Sequence, residues 1–245
     1  MIRRALFALA LVAFFALAGL PAVWMDTLLA RASHNELRLA QTEGSFWHGQ
    51  GTLALPSADR RQWLPASRIE WRFSLRLAGL ELTLREGTHP RLRLIVGVSG
   101  FRLEQLELDT PIAPLAAAVP HPLARAAWQG HLLATSPGLA CRWNHECEGR
   151  LELQWHNASA AILPGRAFGS HRGVLQAAGK RFDITLDTLE GQTRLDGHGT
   201  YWPAQNRLEI DATLQGDPDM VGRLPSIMNQ HARRLAPDTI QIKVP

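Results

Sequence analysis

Apolar and polar positions follow two different patterns along the chain. Near the start, Ala5 to Met25 is a run of 21 positions with no charged side chain. A helix of that length spans roughly 32 Å, enough for the hydrocarbon core of a bilayer. Arg3 and Arg4 precede the run, and Trp24 sits near its far end. Basic residues before the span and an indole at its far interface are the flanks expected of a single-pass anchor with a cytoplasmic N-terminus. Residues 1–32 are therefore expected to be a cytoplasmic tip and transmembrane helix, with residues 33–245 outside the cytoplasm. A cleaved signal peptide also has this order of parts, with Ala30-Arg31-Ala32 as its processing site. The run is longer than such a segment usually is, and Asp26 separates it from that site.

Beyond residue 33 the period becomes two. Ile69, Trp71, Phe73, Leu75 and Leu77 alternate with Arg68, Glu70, Arg72, Ser74 and Arg76, which predicts a strand with one buried face. Leu80–Arg85 repeats the pattern after Ala78-Gly79, a hairpin-like break. Arg91–Val98 and Phe101–Leu108 follow, and the alternation in the latter shifts phase at Gln105-Leu106, as a bulge requires. Leu151–Trp155, Arg181–Leu189, Thr193–Tyr201, Arg207–Leu214 and Ile240–Val244 read the same way. Closely spaced strands with Gly, Pro or Asn between them predict a mainly β fold: an antiparallel, curved sheet with one polar face.

Two segments read as helical. Pro111–Val119 is alanine-rich and reads as a short helix or an apolar loop. Asp217-Pro218 resembles an N-cap followed by proline in the first turn; that helix is expected to break at Pro225 and resume over Ser226–Leu235. W-x-G occurs at Trp47–Gly49 and again at Trp128–Gly130, each followed by a tryptophan-bearing strand. The recurrence suggests two related β halves, 33–110 and 123–245, joined by a linker at 111–122.

Charge excludes one class of partner. The formal net charge is +4, of which Arg3 and Arg4 supply two. A balance so even gives no electrostatic footprint for nucleic acid. The two cysteines, Cys141 and Cys147, lie six positions apart. Outside the cytoplasm such a pair is expected to form a local disulfide. Free thiols, or a metal or redox site including His145, remain open alternatives, although a structural zinc wants four ligands and a redox pair normally reads C-x-x-C.

No catalytic constellation emerges. The chain has no H-E-x-x-H, no phosphate loop and no G-x-S-x-G, and Gly97-Val98-Ser99-Gly100 reads as a turn. The ten histidines are scattered. His198, in DGHGTYW, sits among glycines and reads as a turn or bulge. The chain is read as a non-enzyme with no catalytic, cofactor-binding or metal-binding residues and no cofactor.

An ordered set of patches remains. An apolar segment ends in LPAVW (Leu20–Trp24), then come GSFWHGQ (Gly44–Gln50), a strand centred on Trp71, the second W-x-G, LELQW (Leu151–Trp155) and GHGTYWP (Gly197–Pro203). Together they resemble the type II secretion system protein N family, also called general secretion pathway protein N, over essentially the whole chain. The resemblance implies an accessory inner-membrane component of the machinery that exports folded periplasmic proteins across the Gram-negative outer membrane. It implies a single anchor, a periplasmic domain and no known catalysis, with the inner-membrane platform or the outer-membrane secretin as partners. A second reading is an envelope bridge protein that handles lipid or lipopolysaccharide in a β groove; the tryptophans and arginines make such a groove less apolar than that task wants.

Overall fold

The structure, a computed structural model, describes residues 15, 17–56, 61–113, 128–160, 167–223 and 232–244. The expected tip with Arg3 and Arg4, most of the Ala5–Met25 run and most of Pro111–Val119 lie outside these residues. Among the described residues no helix is long and apolar enough to cross a membrane.

Two compact units divide the chain between Pro90 and Arg91. In the first, helix α1 (Val23–Ala32) leads into β1 (Arg38–Gly44), β2 (His48–Pro56), β3 (Trp63–Arg76) and β4 (Gly79–Glu86). Each strand pairs antiparallel with the next. β5 (His89–Val96) straddles the boundary. The second unit continues with β6 (Gly100–Pro111), β7 (Trp128–Arg142), β8 (Cys147–Ala160), β9 (Ala167–Gly179), β10 (Arg181–Glu190), β11 (Arg194–Trp202) and β12 (Arg207–Gln215). A short helix, α2 (Pro218–Arg223), precedes the final hairpin of β13 (Ala232–Ala236) and β14 (Thr239–Val244). Within each unit strand order follows chain order, until the end of the second, where β14 lies between β12 and β13. All resolved pairings are antiparallel, as the period of two predicts.

The core is assembled in small clusters. In the first unit Trp71, Leu39 and Ala22 are buried, with Ile69, Phe73, Leu53, Leu82, Leu84, Met25 and Leu29 packed around them. In the second, Phe168, Val221 and Ile240 pack with Ala158 and Ala160 under Trp128 and Trp155. A separate cluster joins Phe182 and Ala177 to the two cysteines, Phe101 and Tyr201.

Several expectations need correction. The helix expected to run through Met25 is broken at Pro21, which makes an isolated bridge to Ser45, and a new helix starts at Val23. Proline has no N–H to donate. The carbonyls left free by the break accept instead from the β1–β2 turn: Leu20 from the Phe46 N–H and Leu17 from the Trp47 indole. Trp24 therefore belongs to α1, and not to a continuous span.

Leu75 and Leu77 are not on a buried face. Leu75 is 87 % exposed and Leu77 is fully open. β2 pairs with β3 only as far as Arg72, and Leu77 lies in the β3–β4 turn, so among the described residues no strand on that side covers the overhang.

The expected helix over Ser226–Leu235 is also wrong where it can be described. Ala232–Ala236 is an edge strand paired with β14, with Arg234 opposite Ile240. Pairing with a strand already docked on β12 overrides the local helical preference of an Ala/Arg/Leu segment. The Asp217-Pro218 start is found: the Asp217 carboxylate accepts from the Asp219 N–H at 2.9 Å, and α2 begins there. Residues 224–231 lie outside the described set.

The phase shift in the Phe101 strand is a bulge. Arg93 pairs with Gln105 but Leu94 with Leu103, so Glu104 is the extra residue. His198 is in neither a turn nor a bulge. It sits mid-strand in an unbroken register, between Thr185 and Asp211.

Candidate functional site

Three local constructions carry the residues singled out by the sequence. The first joins the end of the apolar segment to the β1–β2 turn. Trp71, 1 % exposed, lies directly opposite Gly49 and donates its indole N–H to the Phe46 carbonyl at 3.0 Å. A Cβ on residue 49 would stand 2.6 Å from the Trp71 ring, so only glycine fits. Phe46 stacks on Phe73, and Trp47 meets both rings edge-on. GSFWHG is thus an aromatic clasp that closes on Leu17 and Leu20.

A separate contact with β1 secures α1 to the sheet. The Asp26 carboxylate is buried and accepts from Arg38 Nε at 2.9 Å, Arg38 Nη2 at 2.6 Å and the Leu39 N–H at 2.8 Å. Four oxygen lone-pair sites facing three donors make this a satisfied buried charge.

The second W-x-G, in the second unit, also packs against a tryptophan of the next strand, but Leu132 and not the glycine is the register partner of Trp155, and the acceptor lies within the motif. Trp155 donates its indole N–H to the Gln129 carbonyl, again at 3.0 Å. Gly130 adopts φ +112°, and a Cβ there would lie 2.9 Å from the Trp155 nitrogen and 2.4 Å from the His156 carbonyl. Trp128 meets Trp155 edge-on, as Trp47 meets Phe73.

The third construction is the β7–β8 tip. Cys141 and Cys147 are register partners joined through sulfur, with Cα atoms 4.1 Å apart. Their sulfurs are thereby unavailable to a metal, and His145 turns the hairpin with a positive φ. Trp143 reaches across to the β5–β6 turn, where its backbone N–H donates to Ser99 and its indole to Gly97. Val98 is fully exposed beside it.

Elsewhere the polar faces carry paired charges: Arg91 with Glu107, Arg93 with Glu104, Arg150 with Glu152 and Arg172 with Asp187. At these exposures each pair contributes little stability, about 0–1 kcal/mol. Their effect is to keep the surface electrically mixed. An open depression where the Glu104 bulge meets Pro137 is lined by Arg102, Glu104 and Glu148, again of mixed sign. Among the described residues no group of three or more His, Cys, Asp or Glu side chains converges as metal ligands would.

Besides the carboxylates of Asp26, Glu36 and Glu81, a histidine is buried among the described residues. His171, 7 % exposed, lies between Trp155 on β8 and Thr188 on β10. Thr188 Oγ1 accepts from the Leu195 N–H and bonds the His171 Nδ1 at 3.3 Å. Burial disfavours the imidazolium and holds its pKa below the ordinary value.

Sequence reading finds the cysteines, Trp71, Trp155 and both glycines, but not what links them. Asp26 and Arg38 carried no signal, because an ion pair between a helix and a strand has no sequence period. Arg3 and Arg4 lie outside the described residues, and Trp24 is exposed in the first turn of α1.

A family model described as "Type II secretion system (T2SS), protein N" matches residues 35–243, most of the chain. No curated protein and no solved structure matches it.

Proposed function

Because the chain belongs to the type II secretion system protein N family, a family of the secretion machinery, we propose that it is an accessory inner-membrane component that works by protein–protein binding in the periplasm. The family match over 35–243 is the observation that carries this reading. Membership implies interaction with other type II secretion components and a place in the cell envelope. Residues 1–32 are the cytoplasmic tip and anchor, with Arg3 and Arg4 on the cytoplasmic side. Residues 33–245 form the periplasmic part, in which two related β halves each carry one W-x-G clasp. The partners are the inner-membrane platform, the outer-membrane secretin or both.

The described surface suits binding: it offers paired charges and apolar turn tips at Val98 and Trp143. The Cys141–Cys147 bridge suits the oxidising periplasm. An anchor restricts the domain to a layer near the membrane and so raises its effective concentration toward partners there. The test is photo-crosslinking in cells from Val98 and Leu208, both exposed. Capture of other secretion components is expected. Capture of lipid alone would favour the lipid-handling alternative.

A further inference from the structure

Helix α1 carries apolar side chains on both its inner and its outer face. Its inner face holds Asp26, Ala30 and the adjoining Ala22 and Ser33, all buried. Its outer face presents Val23, Trp24 and Leu28, each about half exposed, and then Arg31. A surface helix of a water-soluble domain places its apolar stripe inward and its charges outward. Here a carboxylate points inward beside Met25 and Leu29, fully engaged by Arg38 and the Leu39 N–H. A second apolar stripe, Val23, Trp24 and Leu28, is left outside. Phe15 and Leu17, just before the Pro21 break, are exposed as well.

We infer that the outer face of α1 lies in the headgroup–acyl boundary of the lipid bilayer, holding the first unit directly on the membrane surface. This rests on the anchored reading above. Two observations select lipid as the occupant. The uncharged run from Ala5 leads straight into α1, so the helix starts where a bilayer span would end. The outer face also has the composition of that boundary: an indole, two aliphatic side chains, and an arginine in the last turn, three residues after Leu28, whose stem lies along apolar surface while its head reaches phosphate. A helix so placed buries its apolar face about 5–10 Å into the boundary. The clasp on Leu17 and Leu20 and the Asp26–Arg38 pair then make the junction stiff, leaving no free linker between membrane and sheet.

The test uses the full chain in phosphatidylethanolamine–phosphatidylglycerol vesicles, with an environment-sensitive fluorophore on Leu28→Cys, Leu11→Cys or Val98→Cys. The native cysteines are joined and do not label. Quenching by a headgroup-proximal nitroxide lipid is compared with quenching by aqueous iodide. The expected result is that the probe at 28 is quenched by the nitroxide lipid several-fold more than the probe at 98, and is shielded from iodide. Iodide access at 28 equal to that at 98 would overturn the inference, as would shielding from both quenchers, which would put a protein surface over the helix. The probe at 11 tests the anchor separately: burial in lipid there with an aqueous 28 sinks the interfacial helix alone. A chain recovered from cells beginning near Ser33 would overturn both.

Discussion

Gly49 and Trp71 face each other across β2 and β3, and the indole fills the space a side chain at 49 would need. A methyl at 49 would also meet the Glu43 and Ser45 carbonyls at 2.7 and 2.9 Å, so the clash has no soft direction in which to relax. Gly49→Ala is expected to destabilise the domain by about 1–3 kcal/mol, the range for overpacking a filled site. Gly51→Ala, with nothing nearer than 3.3 Å, is expected to change stability much less. Urea melts of the two variants make the comparison.

Trp71→Ala is expected to cost about 3–5 kcal/mol, because a large cavity opens in the first unit's core. Arg72 is the next residue and points to solvent; Arg72→Gln is expected to stay within about 0.5 kcal/mol. Similar losses from both would mean that β3 is buried on two faces.

The half-buried pair of Asp26 and Arg38 gives a cycle. Arg38→Leu leaves the Asp26 carboxylate with the Leu39 N–H alone among these donors, and is expected to cost about 1.5–3 kcal/mol for the lost charge-assisted bonds. Adding Asp26→Leu is expected to recover part of that loss, since a paired charge replaced on both sides by apolar groups is often near neutral. Additive losses in a double-mutant cycle would show that the two residues are not coupled.

The disulfide closes a short loop, for which the chain-entropy argument gives about 2 kcal/mol. Replacing both Cys141 and Cys147 with serine is expected to lower stability by about that amount and leave the fold in place. Alkylation of native, unreduced protein followed by mass spectrometry is expected to add no label; two labelled thiols would refute the bridge.

Protonation of His171 sets a pH dependence. Its folded pKa lies below the unfolded value of about 6.5 because burial penalises the charged ring. The unfolded chain therefore binds the proton first, and stability falls as pH drops below about 6.5 until the folded pKa is passed. His171→Gln is expected to flatten the stability profile between neutral pH and the onset of carboxylate titration. An unchanged slope would show that this ring does not carry the dependence.

The strands legible in the sequence are those where one bulky apolar residue alternates with a charged one. β3, β4, β8, β10 and β12 all follow that rule. β9, AFGSHRGVLQAAG, does not, because alanine and glycine fill half its positions and pack without marking a face. β7, WQGHLLATSPGLACR, is blurred by its own register shift between Thr135 and Gly138. The helix expected over Ser226–Leu235 failed at β13 because pairing with β14, itself docked on the earlier strand β12, makes that segment a strand. The W-x-G patches were visible as words, while their meaning, a glycine seat for the next strand's indole, needed the pairing register. α1 was masked by the apolar run, whose last residues, Val23–Met25, begin it, since nothing local shows that Asp26 turns inward to Arg38.

Secretion itself tests the central claim most directly. Deleting the gene is expected to lower the amount of type II substrates in the medium, with folded substrate retained in the periplasm, and expression of the full chain is expected to restore export. Unchanged secretion in the deletion strain, with altered outer-membrane lipid composition or detergent resistance, would contradict a role in the secretion machinery and favour a lipid-handling one.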